Sequence, residues 1–397
     1  MALEKKHTTT HAILTFIDKV AHAIDDAFHT IGVFLDFSKA FDTIDHDILF
    51  NKLCRYGIRG IALEWFRNYL SNRKQFVSIN GHDSQFKTIS CGVPQGSLLG
   101  PLLFTLYIND LKNCSQIISF ICFADDTNLY LSHKDSNILV RLMNEELSHF
   151  QSWIHANKLS LNIDKTNYML FSNSLNRLPN YVMMNGVHSS QVESTKFLGL
   201  YIDNDLSWKT HVNHLCKLLS RNTGIINKLK LFLTTKVLLT IYTSLISPYL
   251  NYGILAWGNC NKVLLDKLLI IQKRAMRFIH HVGYFSHTKE LFCKSKILKV
   301  SDLYLYNVGI FMYYLSIQEL PENFLHMFQR NRTVHSYPTR LSGAFHLPRT
   351  RTLFAQKTIM FTGPKFWNDL PIEITRSQFL FTFKRKLKML LLNENDM

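Results

Sequence analysis

The sequence predicts an α+β protein in which an antiparallel, ferredoxin-like sheet backed by helices is followed by a basic helical block. Residues 11–205 alternate helical with strand-like segments, and turn signals such as Asn80-Gly81 separate neighbouring strands. From Trp208 to about His281 the apolar period is helical almost throughout. The 397 residues are 47% hydrophobic and 19% charged, which excludes a disordered chain and allows more than one buried core.

The first elements follow from apolar periodicity and turn chemistry. Thr10 precedes an apolar-periodic run that ends at Ile24, which predicts an amphipathic helix capped by that threonine. Ile31–Asp36 is a short apolar run that ends in a carboxylate, as buried strands do. Two further helices are predicted at Asp47–Tyr56 and Ala62–Asn72.

The rest of the first block alternates strands with helices. The expected helices are Ser97–Leu111 and Ser136–Asn157. Hairpin turns are expected at Asn80-Gly81 and Asn185-Gly186. The expected strands are Gln75–Asn80, Gln85–Cys91, Ile117–Ala124, Thr127–Ser132, Asn167–Phe171 and Phe197–Ile202.

One uncharged stretch has the length of a membrane span. Val237–Trp257 carries no charged residue, yet it contains Pro248, Asn251 and Gly253 together with serine and threonine. Buried helices of large proteins have this composition more often than single spans do. We therefore interpret the stretch as core and expect no membrane partner, and an integral membrane protein is the remote alternative.

The net charge of +16 is concentrated in the second half of the chain. Residues 1–208 have a net charge of −2, residues 209–299 of +13 and residues 300–397 of +5. This split fits either a polyanion track beside a carboxylate centre or a solvated basic face, and charge alone favours neither. The seven cysteines form no C-x-x-C pair and no secretory signal begins the chain, so we expect reduced thiols in an intracellular protein.

Three aspartates follow strand-like runs. Asp36 ends one apolar run, and Asp125-Asp126 lies between two others. Aspartates brought together from adjacent strands are the oxygen ligands with which two divalent ions catalyse phosphoryl transfer. An aspartate at a strand end is also ordinary turn chemistry, and for Asp125-Asp126 taken alone a solvated turn is the better reading.

Five ordered motifs surround these aspartates. They are Phe34–His46 (FLDFSKAFDTIDH), Gly92–Pro101 (GVPQGSLLGP), Phe123–Asp126 (FADD), Asn157–Thr166 (NKLSLNIDKT) and Phe197–Gly199 (FLG). In order and spacing they resemble the reverse transcriptases of non-LTR (LINE-type, jockey-like) retrotransposons. Later segments resemble the thumb and C-terminal extension of the same elements: Pro248–Tyr252, Trp257-Gly258, Gln272–Ala275, His335–Arg340 and Gly363–Pro371.

The resemblance implies the domain organisation of a right-hand polymerase. Residues 1–30 would be a remnant of the fingers and residues 31–205 the palm that carries catalysis. Residues 206–282 would form a helical, basic thumb, and residues 283–397 the C-terminal extension. The short segment before the palm leads us to expect an N-terminally truncated member, for which membership of the family and competence as an enzyme are separate claims.

The resemblance also assigns metal ligands. Asp36 and Asp125 would bridge two Mg²⁺ ions, with Mn²⁺ able to replace them. Asp126 would complete the catalytic ion, and the Phe37 carbonyl would help to hold the other.

Four further residues would bind the nucleotide. Phe41 would press on the sugar and leave no room for a 2′-hydroxyl, although without the motif it would be taken as a core phenylalanine. Gln95 could hydrogen-bond near the sugar and base, and Gly96 would let the backbone approach. Lys165 would neutralise or protonate the departing pyrophosphate, although a lysine in such a turn is usually a surface residue.

The basic block would follow the nucleic acid. Two clusters are expected to contact phosphates independently of base sequence. They comprise Lys217, Arg221, Lys228 and Lys230, and Lys273, Arg274 and Arg277.

The implied activity is RNA-directed DNA polymerisation. An RNA template, a DNA primer and deoxynucleoside triphosphates would be the partners, in the nucleus and cytoplasm, and the sequence leaves the oligomeric state open. One alternative is a catalytically dead remnant that only binds nucleic acid. Another is a host-adopted protein that uses residues 300–397 for protein contacts.

Overall fold

The computed structural model describes residues 8–124, 126–172, 181–184, 187–334 and 342–393. Asp125, the Asn185-Gly186 turn and His335–Arg340 lie outside the described residues. Contacts divide the chain into two compact units, one built on residues 28–193 and one on residues 194–397 together with the first helix, α1 (Thr9–Asp25). The divisions expected after residues 30, 205 and 282 stay predictions.

Unit 1 contains eleven strands and four α-helices among its described residues, with a 3₁₀ turn at Leu111–Cys114. Its first half comprises β1 (His29–Leu35), α2 (His46–Arg55), α3 (Ile61–Leu70), β2 (Lys74–Gln75), β3 (Ser78–Ile79), β4 (His82–Asp83), β5 (Lys87–Thr88) and α4 (Leu99–Ile108). Its second half comprises β6 (Ser119–Phe123), β7 (Asp126–His133), α5 (Ser136–Ala156), β8 (Asn167–Phe171), β9 (Met183–Met184), β10 (Val187–His188) and β11 (Ser190–Gln191).

The main sheet of unit 1 has five strands in the order β11-β8-β1-β7-β6. β1 pairs antiparallel with both β7 and β8, and the one parallel pair in this sheet joins β8 to β11. The central strand β1 is buried at every position after His29, as its apolar sequence predicts. Helix α5 packs on β1 and β7 through its apolar face. The predicted α+β class is confirmed.

The hairpin expected at Asn80-Gly81 is present. β3 pairs with β4 around it, and β2 pairs with β5 further out. Asn80 and Gly81 have φ values of 50° and 81°, the left-handed backbone that a type I′ hairpin turn requires of both central positions.

The extended segment expected at Phe197–Ile202 is instead a hairpin of unit 2. β12 (Ser194–Phe197) pairs antiparallel with β13 (Leu200–Asp203), and the chain turns at Leu198-Gly199. Both turn residues have positive φ, at 44° and 85°. The prediction of one continuous strand was wrong because leucine seldom occupies this backbone conformation.

After this hairpin, unit 2 is helical. Its longer helices are α6 (Lys209–Leu229), α7 (Thr235–Leu245), α10 (Lys262–Ile279), α12 (Val300–Ser316), α15 (Ile359–Asp369) and α17 (Leu380–Asn393). Its shorter helices are α8 (Ser247–Asn251), α9 (Ile254–Trp257), α11 (Lys289–Ser295), α13 (Glu322–Met327), α14 (Asn331–Val334) and α16 (Ile372–Thr375), with a 3₁₀ turn at Ala355–Lys357. Helices α6 and α10 pack along each other, and α1 packs on α9.

The uncharged stretch Val237–Trp257 is broken into parts of three helices. Pro248 lies in the first turn of α8, where its missing N–H has no partner to lose, and Gly253 has a φ of 61° before α9. In the part of the chain that the structure describes, no helix combines the length and apolar character needed to cross a membrane.

A buried glutamine joins three elements of unit 2. The amide nitrogen of Gln272 donates to the Tyr242 hydroxyl at 2.9 Å and to the Leu298 carbonyl at 2.8 Å, and its oxygen accepts from the Val300 N–H at 3.1 Å. Gln272 is 2% exposed. The motif residue at this position therefore satisfies buried polar groups of α7, of the loop before α12 and of α12 itself.

Candidate active site

Strand pairing in unit 1 brings Asp36 beside Asp126. β1 and β7 pair as far as Leu35 and Thr127, so the next position of the register sets Asp36 opposite Asp126. Directly opposed residues of antiparallel strands have Cα atoms about 5 Å apart. The two paired strands thus end next to each other at Asp36 and Asp126, whose joint role stays a prediction, and Asp125 between Ala124 and Asp126 lies outside the described residues.

The other neighbour of Asp36 is Lys165. The β1–β8 ladder ends at Phe34 and Asn167, and Lys165 lies two residues before Asn167, in the turn that leads into β8. The Lys165 ammonium lies 3.6 Å from a carboxylate oxygen of Asp36. The Asp36 side chain is 44% exposed and that of Lys165 70%, so both are accessible to a ligand. Lys165, which was predicted from a motif alone, therefore lies beside the Asp36 carboxylate at this edge of the sheet.

The backbone after Asp36 is clamped by the turn before β8. Ser38 N–H donates to the Ser160 carbonyl at 2.9 Å, and Asn162 N–H donates to the Asp36 carbonyl at 2.8 Å. Phe37 faces Leu161 between these two bonds. In that position its own carbonyl is outside the ladder, and no described group donates to it. A main-chain oxygen is therefore available next to Asp36.

Phe41 is fixed by both its backbone and its ring. The Phe41 carbonyl accepts from the Val93 N–H at 2.8 Å, and its half-buried ring lies 5.0 Å from that of Phe104 on α4. The neighbouring Gly92 has a φ of 82°, and a Cβ there would lie 2.7 Å from the Asp42 carbonyl oxygen. Only glycine permits this approach of the two motifs.

Gln95 lies on the surface beside Asp42. Its amide nitrogen donates to Oδ1 of Asp42 at 3.0 Å, and both side chains are exposed. This bond leaves the amide oxygen of Gln95 as the group that is free to accept. Gly96 follows with a φ of 78°, a conformation that favours glycine.

A second ion pair braces the same region. The Lys158 ammonium lies 2.6 Å from Oδ2 of Asp45, whose Oδ1 accepts from the Ile48 N–H and caps α2. Burial raises the pKa of Asp45, but the hydrogen bonds from Lys158 and Ile48 outweigh it and hold that pKa below its usual range. Asp45 thus ties the first motif to the fourth.

The expected nucleic-acid residues lie on two helices of unit 2. Lys217, Arg221 and Lys228 are exposed on α6, and at 100° per residue they fall within about 40° of one another. Lys230 caps α6 on another side, with its ammonium 4.6 Å from the centre of the Phe278 ring.

On α10, Lys273, Arg274 and Arg277 are half-buried, and the Arg277 guanidinium donates to the Ser286 carbonyl at 2.9 Å. The α6 face is therefore the more accessible of the two clusters.

Comparison with known proteins identifies the family. Residues 2–202 match the family model described as reverse transcriptase (RNA-dependent DNA polymerase), which is half of the chain. The chain belongs to the reverse transcriptase family.

Its relatives include proteins of mobile elements. The RNA-directed DNA polymerase from mobile element jockey of Drosophila melanogaster is 27% identical over 309 residues, covering 75% of this chain and 33% of that protein. The probable RNA-directed DNA polymerase from transposon BS of the same species is 27% identical over 297 residues, covering 70% and 32%. The expected resemblance to non-LTR retrotransposon polymerases is confirmed, and the chain spans about a third of the length of the curated relatives it matches.

A structural likeness was also found. Telomerase from Candida albicans in complex with a fragment of telomeric RNA covers 74% of this chain and 52% of its own, at 15% identity and a TM-score of 0.36. A score this low supports no argument about the site.

The donor set of this reverse transcriptase suits a hard cation. Asp36, Asp126 and the Phe37 carbonyl offer oxygen atoms at one edge of the sheet, which are the ligands that Mg²⁺ prefers. Among the described residues, which omit Asp125, no three His, Cys, Asp or Glu side chains converge closely enough to hold a metal ion.

Sequence reasoning missed several residues that position the site. Asp42 orients Gln95, Phe104 supports Phe41, and the Thr166 hydroxyl accepts from the Asp36 N–H at 3.4 Å. Asp42 and Thr166 lie within the quoted motifs, so the motifs could have indicated a role for both residues. No sequence signal indicated Phe104, because its contact with Phe41 depends on how α4 packs.

Proposed function

We propose that this reverse transcriptase is an RNA-directed DNA polymerase of a non-LTR retrotransposon, which adds deoxynucleotides to the 3′-hydroxyl of a DNA primer on an RNA template. The observation that carries the proposal is the strand pairing that ends next to Asp36 and Asp126, together with the Lys165 ammonium 3.6 Å from a carboxylate oxygen of Asp36. The same sheet edge continues into the segment that holds Phe41 beside Gly92.

Asp36, Asp125, Asp126 and the Phe37 carbonyl would hold two Mg²⁺ ions, or Mn²⁺ in their place. When bound, the ions supply electrostatic stabilisation for the attacking and leaving oxygens of phosphoryl transfer. Strand pairing would hold Asp36 and Asp126 in place, so that little reorganisation is needed when charge develops.

Three other residues would handle the nucleotide. Phe41, held by Phe104 and Val93, would exclude a 2′-hydroxyl by occupying its space. Gln95 would accept through its amide oxygen, since its nitrogen already donates to Asp42. The Lys165 ammonium, 3.6 Å from Asp36, is near enough to neutralise pyrophosphate as it leaves.

The basic helices would bind the primer–template. Lys217, Arg221 and Lys228 on α6 would contact phosphates, with Lys230 and the α10 residues Lys273, Arg274 and Arg277 adding positive charge. On this proposal residues 31–205 act as palm, residues 206–282 as thumb and residues 283–397 as the C-terminal extension. A polymerase of this kind would work in the nucleus and cytoplasm.

A primer-extension assay tests the proposal. A DNA primer is extended on RNA and on DNA templates with Mg²⁺ by the wild-type chain, by Asp125→Asn and by the matched control Asp135→Asn, which alters the exposed cap residue of α5. We expect Asp125→Asn to lower the extension rate by at least about 100-fold while duplex affinity stays within about twofold. Asp135→Asn should extend normally, because asparagine caps helices as well as aspartate does.

Two outcomes would contradict the proposal. Equal extension by the wild type and Asp125→Asn would show that the carboxylates are not catalytic. Metal-independent duplex binding without any extension by the wild type would instead support a remnant that only binds nucleic acid.

A further inference from the structure

Unit 2 exposes four large apolar side chains just beyond the ends of two packed helices. Leu231 and Phe232 follow α6 and are 76% and 81% exposed, and Tyr284 and Phe285 follow α10 and are 61% and 91% exposed. Single apolar side chains are common on protein surfaces, but a group of them usually marks an interaction site. The ends of these helices are therefore a candidate interaction surface.

Helices α6 and α10 end on the same side of unit 2. They pack along each other, and the ammonium of Lys230, which caps α6, lies 4.6 Å from the centre of the Phe278 ring in the last turn of α10. Further back, the charge of Lys267 on α10 opposes the rise in the pKa of the Cys216 thiol on α6 that burial causes. The two helices therefore run in parallel, and the segments that follow them begin side by side.

A tight turn after α10 presents two of the rings. The Ser286 N–H donates to the Gly283 carbonyl at 3.1 Å, so Tyr284 and Phe285 occupy the two central positions of this turn. Glycine, proline, asparagine, aspartate and serine dominate the residues of turns, and two adjacent aromatic residues at the centre break that preference. Departures from local rules of this kind are expected at functional sites.

Arg277 fixes the turn to α10. Its guanidinium donates to the Ser286 carbonyl at 2.9 Å and lies 5.9 Å from the centre of the Tyr284 ring. The Tyr284 and Phe285 rings are 5.2 Å apart and nearly perpendicular, at 88°. The turn is thus anchored while both rings stay accessible, and an anchored side chain loses less freedom when it binds a ligand.

Cations surround this end of the two helices. Lys228 and Lys230 immediately precede the exposed pair that follows α6, and Arg274 and Arg277 lie in the last two turns of α10. All four belong to residues 209–299, whose net charge is +13. The charge of this surface therefore complements a polyanion.

A nucleic-acid strand combines the two kinds of group that this surface can bind. Its phosphates are attracted to ammonium and guanidinium groups, and its unpaired bases stack on aromatic rings. A base inside a duplex already has a neighbour on each face, so a ring of the protein can stack only on a base that is unpaired or terminal. An acidic peptide would match the charge but offers no series of flat groups.

We propose that Tyr284 and Phe285 form a stacking site for unpaired bases of a nucleic-acid strand whose phosphates contact the cations at the ends of α6 and α10. The inference rests on the proposed function, in which these helices bind the primer–template, and it adds contacts to bases to those with phosphates. Stacking tolerates any base, so the site binds strands without regard to sequence. It requires neither a metal ion nor a nucleotide.

Two strands that differ only in their bases test the site. Fluorescence anisotropy measures the binding of an oligothymidylate and of a strand of equal length in which abasic sites replace every base, in EDTA and without nucleotide. We expect the wild-type chain to bind the oligothymidylate at least about fivefold more tightly, because both strands carry the same phosphates and only one can stack.

Variants of Phe285 separate base stacking from general apolar contact. Phe285→Ala should weaken binding of the oligothymidylate at least about fivefold and change binding of the abasic strand by less than about twofold. Phe285→Leu should behave like Phe285→Ala, because leucine is apolar but has no flat ring, whereas Phe285→Trp should bind at least as tightly as the wild type. Phe381→Ala is the matched control, since it removes a ring that is 76% exposed on α17, and it should bind both strands like the wild type.

Several results would overturn the inference. Equal affinity of the wild-type chain for the two strands, or no binding of either, would do so. Equal weakening of both strands in Phe285→Ala would place the ring against the sugar–phosphate backbone and overturn base stacking. Wild-type affinity in Phe285→Leu would overturn it in favour of an apolar docking surface for a protein. The measurement requires no primer extension, so an inactive polymerase would leave the inference standing, and failure of stacking would leave the primer-extension result unaffected.

Discussion

Phe41 is held by a backbone hydrogen bond and by ring packing, and it is the residue proposed to select deoxynucleotides. We expect Phe41→Val to keep the fold and to admit ribonucleotides, because the smaller side chain vacates the space of a 2′-hydroxyl. The preference for deoxynucleotides should fall by about tenfold or more, measured as the ratio of kcat/KM for the two nucleotide types in primer extension. Phe41→Tyr keeps the ring and should keep the preference. An unchanged ratio in Phe41→Val would assign Phe41 to the core alone.

Asp45 is a second residue with two roles, as cap of α2 and as partner of Lys158. We expect Asp45→Ala to lower the free energy of unfolding by about 1–2 kcal/mol, from the lost cap and the partly exposed ion pair. Its pKa is lowered in the folded state, so this contribution is present above the unfolded pKa of about 4 and is lost as pH falls through the lowered value.

Urea unfolding of this variant between pH 2 and pH 7 measures that contribution. Asp47→Ala, an exposed carboxylate in the first turn of the same helix, is the control and should cost about 0.5 kcal/mol. An Asp45→Ala variant as stable as the wild type at pH 7 would contradict the bracing role.

At this scale the motifs name candidate residues, but they do not predict which groups those residues contact. Asp36, Phe41 and Gln95 could be chosen because motifs fix them by spacing. The ion pair between Lys52 and Asp110, at 2.7 Å, could not be predicted from the sequence. Lys52 is only 9% exposed, which is unusual for a lysine. Lys52 is buried because α2 packs against α4, and no local sequence pattern predicts that packing.

Between elements, Gly92 allows two motifs to touch. We expect Gly92→Ala to lower the free energy of unfolding by about 2 kcal/mol or more, because the new Cβ would overlap the Asp42 backbone at a φ of 82°. Gly96→Ala is the matched control. It has a similar φ of 78° but open space around its Cβ, so it should cost about 1 kcal/mol from strain alone. Equal costs in denaturant unfolding would contradict the close approach.

Gly224 presents the opposite case within α6. It lies on the exposed face between Arg221 and Lys228, and nothing lies within 4 Å of the position of its Cβ. We expect Gly224→Ala to stabilise the chain by about 1 kcal/mol and to raise Tm by a few degrees in a thermal scan. Ser220→Ala, on the same helix, should give a smaller gain. A lower Tm in Gly224→Ala would show that the face is packed.

The sequence predicted well whether a segment is a helix or a strand, but it predicted poorly where a turn interrupts a strand. The helix Ser136–Ala156 was predicted within one residue because its apolar period is long, and the strand Asn167–Phe171 because it is a short apolar run. The first helix begins earlier than expected, with Thr8 rather than Thr10 as its cap, since several threonines precede it. The hairpin turn at Leu198 was missed because leucine carries no turn signal of its own.

The net charge is distributed unequally along the chain. The sequence places a net charge near zero before residue 209 and nearly all the positive charge after it. If the α6 face binds phosphates, replacing Lys217, Arg221 and Lys228 together by glutamine should lower the slope of log K against log salt concentration by about one for each phosphate that the variant no longer neutralises. Fluorescence anisotropy with one RNA–DNA duplex at several salt concentrations measures this slope.

A control with the same change in charge separates local binding from overall charge. Lys112, Lys134 and Arg141 are exposed in unit 1, and their joint replacement by glutamine should leave the slope nearly unchanged. Equal effects of the two triple variants would indicate a diffuse attraction without an α6 track.

The antiparallel register around β1 has a consequence for insertions and deletions. Side chains alternate between the two faces of a strand, so removal of a single residue from residues 30–35 or 127–132 would shift the frame of the ladder and turn Asp36 or Asp126 away from its neighbour. The small hairpin at residues 74–88 is exposed throughout its strands and has no such constraint on its register. Length variation among related sequences should therefore accumulate in the hairpin and be absent from the two central strands.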